Sequence, residues 1–351
     1  MQKALYFNRI ISENSPMRGA SRQETLVDQF GRTIDYVRIS ITDRCDFRCI
    51  YCMNEDMQFL PREDILTLEE LGAIGKSFVE LGIKKIRLTG GEPLVRQNCL
   101  KLIEELGAIN ELEELTITTN GSQLGKMAGQ IKEAGVKRIN ISLDSLNPEK
   151  FKALTRTGDL NQVLKGIEAA VKAGFERIKI NAVILKNRNE KEVIPLTKFA
   201  LERGLDITFI EEMPLGAIST HDRAEVYYSS DQIKKDLETI FTLTPTSESS
   251  GGPAKYFKLP NSNSRIGFIS PHSHNFCGDC NRVRLTVEGR LLLCLGQEHS
   301  VDLRDIIRKW PGNTDALKTA IKKSMLIKPE GHTFDLAEKT VIFRHMSHTG
   351  G

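Results

Sequence analysis

Six short runs rich in β-branched residues, at 37–42, 85–89, 115–119, 138–143, 177–184 and 206–210, alternate with stretches whose apolar residues recur at helical spacing. This alternation constrains the fold most, because strand–helix–strand repeats build a parallel sheet through right-handed crossovers. The helical stretches are 68–81, 98–106, 123–134, 162–173 and 190–203. Thr67, with Glu70 three residues on, reads as a capping box. Gly82, Gly135, Gly174 and Gly204 stand just past helical stretches, where a left-handed cap is expected. Six units fall short of the eight that close a full barrel. The expectation is an α/β fold, an incomplete (βα)6 TIM-type barrel over residues 34–213, open at one side.

The rhythm stops after Met213. Residues 214–351 read as a less regular α+β region that covers the open side, with helical patterns at 229–241, 301–309 and 314–324. A Ser/Thr/Gly/Pro-rich loop spans 244–254, and short strands are expected at 256–259, 265–269, 282–287 and 291–293. Residues 1–33 are polar and irregular and read as an N-terminal arm. With 49 basic and 46 acidic residues, the net charge of +3 excludes a globally basic nucleic-acid binder. No apolar run approaches the ~18 residues of a membrane helix. The first thirty residues lack the apolar core of an export signal, and Glu13, Glu24 and Asp28 argue against a transit peptide. A reducing cytoplasm is the expected compartment, and there metal ligation is a better reading of clustered cysteines than disulfides.

Six of the seven cysteines fall in two clusters; Cys99, in a helical stretch, reads as a small buried side chain. Cys45, Cys49 and Cys52 follow the first strand with C-x3-C-x2-C spacing. Three soft thiolates on one loop suit zinc or an iron–sulfur cluster and leave one metal position open. A structural zinc loop with a distant fourth ligand is the plainer alternative. Placement at the C-terminal end of a barrel strand favours catalysis. Cys277, Cys280 and Cys294 form a second set, C-x2-C-x13-C, whose plainer reading is a zinc knuckle completed by His272, His274 or His299.

The first cysteine loop resembles the signature of the radical S-adenosylmethionine (SAM) superfamily, as does Thr89-Gly90-Gly91-Glu92-Pro93 after the second strand. The resemblance implies a [4Fe-4S] cluster on Cys45, Cys49 and Cys52. SAM would chelate its open iron and be cleaved by one electron to a 5′-deoxyadenosyl radical. It also implies that Tyr51 faces the adenine and that Gly90, Gly91 and Glu92 serve the SAM amino group. The two clusters together, with Asn-Arg-Val-Arg directly after Cys280, resemble the GTP 3′,8-cyclases of molybdenum cofactor biosynthesis over roughly residues 30–351. That family implies a lyase with a second [4Fe-4S] cluster on Cys277, Cys280 and Cys294 that binds guanine. Ser142 and Met213 match its SAM-contacting positions. Arg38, Arg87, Thr118, Lys179, Arg282 and Arg284 match its GTP-binding positions. A terminal Gly-Gly, here Gly350 and Gly351, is implied to enter the active site and promote catalysis; without the resemblance it reads as a frayed end.

Strand alternation points Arg38, Lys85, Arg87 and Lys179 inward, where unpaired cations are costly unless an anion joins them. The resemblance further implies hydrogen abstraction at ribose C3′ and ring closure on guanine C8. It implies a one-electron reductant, a homodimer, and a product consumed by cyclic pyranopterin monophosphate synthase. One departure stands out: many relatives carry arginine where this chain has Thr208, before Phe209-Ile210-Glu211. Two rivals remain: a peptide-modifying radical SAM enzyme with an auxiliary cluster, and a non-enzymatic zinc-binding module.

Overall fold

The computed structural model describes residues 24–54, 56–216, 222–334, 342 and 344–350. In chain order its strands and helices begin with a small antiparallel pair, β1 (Leu26–Val27) and β2 (Thr33–Ile34). The repeating part follows: β3 (Tyr36–Ser40), α1 (Leu68–Glu80), β4 (Lys85–Thr89), α2 (Cys99–Gly107), β5 (Glu114–Thr119), α3 (Leu124–Glu133) and β6 (Arg138–Ser142). It continues through α4 (Pro148–Thr155), α5 (Leu160–Ala173), β7 (Arg177–Val183), α6 (Val193–Glu202) and β8 (Asp206–Ile210). After these come α7 (Arg223–Val226), α8 (Ser230–Glu238), β9 (Thr244–Pro245), β10 (Lys255–Lys258), β11 (Arg265–Ile269), β12 (Arg282–Leu285), β13 (Arg290–Leu292) and β14 (Ser300–Asp302). The last elements are α9 (Leu303–Lys309), α10 (Thr314–Met325) and α11 (Met346–Thr349).

The six expected strands form, all parallel, in the order β3-β4-β5-β6-β7-β8. The capping box on α1 is present. Gly82, Gly135, Gly174 and Gly204 all take positive φ, between 67° and 91°. Helix α4 has no counterpart in the expected pattern, although Asn147 caps it and Pro148 opens it, the usual signals of a helix start.

The C-terminal strands do more than cover the open side. β12 pairs parallel with β3, and β11 pairs parallel with β8, so eight parallel strands run side by side. Antiparallel β13-β14 and β10-β9 extend the two edges to a twelve-stranded sheet. A strand's own period tells which residues share a face, not which strand lies beside it. Of the expected arm, residues 24–33 carry β1, Arg32 and the first residue of β2. The Arg32 guanidinium donates to the carbonyls of Cys277 at 2.8 Å and Pro329 at 2.8 Å. The reading of residues 1–23 lies outside the described residues.

The two faces of the sheet differ completely. Val37, Ile39, Ile86, Leu88, Ile139, Ile141, Ile178 and Ile180 are buried against the helices in one continuous core. Burying each such side chain stabilises the fold by roughly 1.5–3 kcal/mol. The opposite face carries Arg38, Arg87, Thr118, Asn140, Lys179, Arg282 and Arg284, also buried. A helix-backed outer face and a polar inner face are what a barrel with a ligand inside it requires.

Candidate active site

Side chains from all eight parallel strands line one cavity, with about 1910 Å³ of empty space, open solvent at its mouth included. All six clustered cysteines line it, and none is in a disulfide. Topology sets them at opposite ends. Cys45, Cys49 and Cys52 follow the C-terminal end of β3. Cys277 and Cys280 precede β12, which runs parallel to β3. Antiparallel β13 then returns the chain, so Cys294 arrives at the level of Cys280. Between the two ends the register places Arg284 beside Arg38 and Arg38 beside Arg87.

The first loop is braced from all sides. Phe47 N–H donates to Cys45 Sγ at 3.3 Å. Asp46 accepts from Asn120 and Ser122, both at 2.6 Å. The Tyr51 hydroxyl donates to Asp144 at 2.7 Å. Burial pushes the Cys45 and Cys49 thiols far up, with Glu92 adding to Cys45 and Cys52 to Cys49. Burial also lifts Cys52 to about 12 against one backbone hydrogen bond from Ser347. Thiolates here therefore need a positive metal centre to form. At the other end burial pushes Cys280 up, but Arg282 and Lys328 outweigh it and set the thiol below its usual value.

Among the described residues no three His, Cys, Asp or Glu side chains converge on a point as they would for a single ion. A cubane does not ask for that, because each thiolate takes its own iron. Free, neighbouring, soft donors at both ends fit such a group.

Gly90 and Gly91 line the cavity, and each passes hard against backbone: a Cβ would lie 2.4 Å from Thr42 O at Gly90 and 2.5 Å from Arg44 O at Gly91. Ser142 and Met213 line it too. Glu92 does not. It is fully buried, and its carboxylate accepts from Asn120 N–H at 2.6 Å, Thr119 Oγ1 at 2.8 Å and Leu94 N–H at 2.9 Å. Burial lifts it to about 7. Its side chain knits the glycine loop to β5 rather than facing the cavity.

Arg38, Arg87, Thr118, Lys179, Arg282 and Arg284 all line the cavity. Asn140, with its amide oxygen turned inward, accepts from Arg87 at 2.7 and 3.1 Å. Lys85 instead donates to Ser250 O and pairs with Glu114, both at 2.7 Å, so it ties loop 250–254 to the sheet. Several inward polar atoms have no partner among the described residues: Ser40 Oγ, Arg87 Nε, Thr118 Oγ1, Asn181 Oδ1 and Thr208 Oγ1. Orphans of this kind mark where a ligand's polar groups belong. Thr208 is fully buried beside Asn181 and Gly267, and it adds no charge to the cavity wall.

The Gly350 carbonyl accepts from Arg284, and Met346 of the same tail lines the cavity. Gly351 lies outside the described residues. Sequence reasoning missed Asn181, Asp144 and Tyr36. Asn181 was within reach, since it stands two residues after Lys179 and so shares its face. So was Tyr36, two residues before Arg38 on β3; Asp144 depends on its tertiary contacts with Tyr51 and Val183.

Two family models match the chain: Radical SAM superfamily over residues 39–200 and Molybdenum Cofactor Synthesis C over residues 205–334. The chain is 57% identical over 330 residues to "GTP 3′,8-cyclase" of Saccharophagus degradans, covering 94% of this chain and all of that one. It is 59% identical over 329 residues to "GTP 3′,8-cyclase" of Pseudomonas entomophila, covering 93% and 98%. Among solved structures, Streptococcus suis SuiB superposes with a TM-score of 0.59 at 14% identity, over 92% of this chain and 79% of that one. The same protein bound to S-adenosylmethionine gives 0.57 at 15%, over 91% and 79%. At such identities the likeness speaks for the fold.

Proposed function

Because the chain belongs to the GTP 3′,8-cyclase family, we propose that this cavity joins C3′ to C8 of GTP between two [4Fe-4S] clusters. The enzyme is a radical SAM lyase that works with S-adenosylmethionine and an iron–sulfur cluster, and its substrate GTP feeds molybdenum cofactor synthesis. The product is 3′,8-cyclo-7,8-dihydroguanosine 5′-triphosphate. The observation that carries the reading is the ordering along the barrel: a cysteine triad at each end and, between them, arginines with no carboxylate partner among the described residues.

Cys45, Cys49 and Cys52 would hold the first cluster; Cys277, Cys280 and Cys294 the second. With SAM bound, the first cluster supplies one-electron chemistry for hydrogen removal at C3′. The rest falls to the chain's own groups. Tyr51, Gly90, Gly91, Ser142 and Met213 surround the SAM position, and Glu92 fixes the glycine loop. Arg38, Arg87, Lys179, Arg282 and Arg284 grip the triphosphate, and Thr118 offers its unpartnered hydroxyl. Lys85 supports the floor. Holding the nucleotide at both ends brings the reacting carbons together, an effect worth ~7–11 kcal/mol. Gly350, whose carbonyl accepts from Arg284, adds to the wall and helps exclude water, and with Gly351 it would promote catalysis.

We further propose the division 1–33, 34–213 and 214–351, a homodimer, a one-electron reductant, a cytoplasmic setting, and delivery of the product to cyclic pyranopterin monophosphate synthase. The described residues include no helix long and apolar enough to cross a membrane. Anaerobic incubation of reconstituted protein with SAM, GTP and a reductant, with the product identified by mass and NMR, tests the reaction. Iron analysis tests the cofactors: about eight irons per chain support two cubanes, whereas zinc without iron refutes them.

A further inference from the structure

The cradle carries more positive charge than its carboxylates balance. Glu114 pairs with Lys85 at 2.7 Å and Arg138 at 3.1 Å, and Asp206 pairs with Arg265 at 2.6 Å. Among the described residues no carboxylate pairs with Arg38, Arg87, Arg282 or Arg284. Unpaired buried charge is costly. In its midst stands Tyr36, fully buried. Its cross-strand neighbours are Arg282 on β12 and Lys85 on β4. Arg38 Nε donates to the phenol oxygen at 3.1 Å. The guanidiniums of Arg38 and Arg87 lie 5.6 Å from the ring centroid and the Lys85 ammonium 5.3 Å. Cations on four sides of one phenol are more than ring packing needs.

We propose that Tyr36 is a positioning residue of the nucleotide cradle: its phenol oxygen is the counter-charge that holds these cations before GTP arrives, and it takes up a proton when the triphosphate replaces it. The inference rests on the GTP-binding reading above. Burial pushes the phenol up, but Arg38, Arg87, Lys85 and Arg282 outweigh it and bring it to about 7. The groups facing it are Arg38 on its own strand, Lys85 and Arg87 on β4, Arg282 and Arg284 on β12, and Glu114 on β5 behind Lys85. The sign follows. The free site favours phenolate above pH 7, and bound triphosphate favours the neutral phenol. GTP affinity is therefore full well below pH 7 and falls as pH rises through it, by roughly fifteenfold from pH 7 to 8.5 where the complex keeps the proton. Tyr256 titrates nearby: burial raises it, but Lys179, which donates to its oxygen at 3.3 Å, brings it to about 8. It needs its own control.

The test is anaerobic calorimetry of GTP binding to the reconstituted holoenzyme, in buffers of different ionisation heat, between pH 7 and 8.5. Wild type should take up protons, Tyr36→Phe should lose most of that uptake and flatten the affinity profile, and Tyr256→Phe should keep both. Uptake unchanged in Tyr36→Phe overturns the proposal, as does wild-type GTP binding with no proton taken up. Failure of wild type to bind GTP at all is a different result and removes the functional reading itself. Should Tyr36→Phe not fold, a fluorotyrosine at position 36 acidifies the phenol within the same shape. It must move the affinity profile to lower pH, and an unmoved profile overturns the assignment.

Discussion

Gly350→Ala should detach the C-terminal tail from the cavity. Gly350 sits at φ 72°, ψ 140°, close to a region that essentially only glycine occupies; other residues there cost roughly 1–3 kcal/mol. A Cβ would lie 2.0 Å from Thr89 Cγ2, 2.6 Å from its Oγ1 and 2.8 Å from its Cβ. Thr89 ends β4 and is 2% exposed, so it has no room to retreat, and such overpacking costs roughly 1–3 kcal/mol more. Against this stand the contacts that dock the tail: Arg284 to the Gly350 carbonyl, Val287 N–H to His348 O at 3.2 Å, Ser347 N–H to Cys52, Arg344 to Gln297 O at 2.8 Å, and the packing of buried Ser347 and Thr349. A combined penalty of even ~2 kcal/mol lowers the docked-to-undocked equilibrium constant roughly thirtyfold. Hydrogen exchange of residues 346–350 should rise, and cyclase turnover should fall with little change in GTP affinity. Thr89→Ala in the same chain removes the two closest contacts but not the dihedral strain, so it should restore part of the protection. Wild-type exchange and turnover in Gly350→Ala would refute this reasoning. Full recovery by Thr89→Ala would refute the part assigned to strain.

Other expectations test different layers of the argument. Cys49→Ala and Cys280→Ala should each lower bound iron from about eight to about four per chain, with only the first abolishing SAM cleavage; a variant that loses all iron or none contradicts two separate sites. Asp206 accepts from the Arg265 backbone at 2.9 Å and pairs with its side chain at 2.6 Å, both buried. Asp206→Ala should therefore cost about 3–5 kcal/mol, read as a fall in unfolding midpoint. Glu92 is held up at about 7 by burial, so its contribution is complete below the ordinary carboxylate range and lost as pH rises through 7. Glu92→Gln should thus gain stability relative to wild type between pH 5 and pH 8 in denaturant melts, whatever its constant offset; no relative gain would contradict the assignment.

Much of this is legible in the sequence because it is local. A period of two makes Lys85 and Arg87 share a face with each other and not with Ile86. Glycines after helices announce their caps. C-x3-C-x2-C and Gly-Gly-Glu-Pro are contiguous motifs. What escaped was relational. Glu92 belongs to the expected motif yet turns its carboxylate into the protein to hold β5. Lys85 points inward as alternation requires yet spends its charge on Glu114 and Ser250. Helix α4 was signalled by Asn147 and Pro148 but is too short to show a clear period.

The residues alone determined the kind of chemistry, because thiol spacing, glycine placement and strand alternation are properties of neighbours along the chain. Only the tertiary structure decided that the two cysteine sets occupy opposite ends of one chamber. That follows from β12 pairing parallel with β3 and β13 returning beside it, contacts between residues some 240 positions apart. It likewise decided that Tyr36 stands among four cations. Side-chain direction is settled within a strand, but charge balance is settled between strands, and no stretch of sequence contains it.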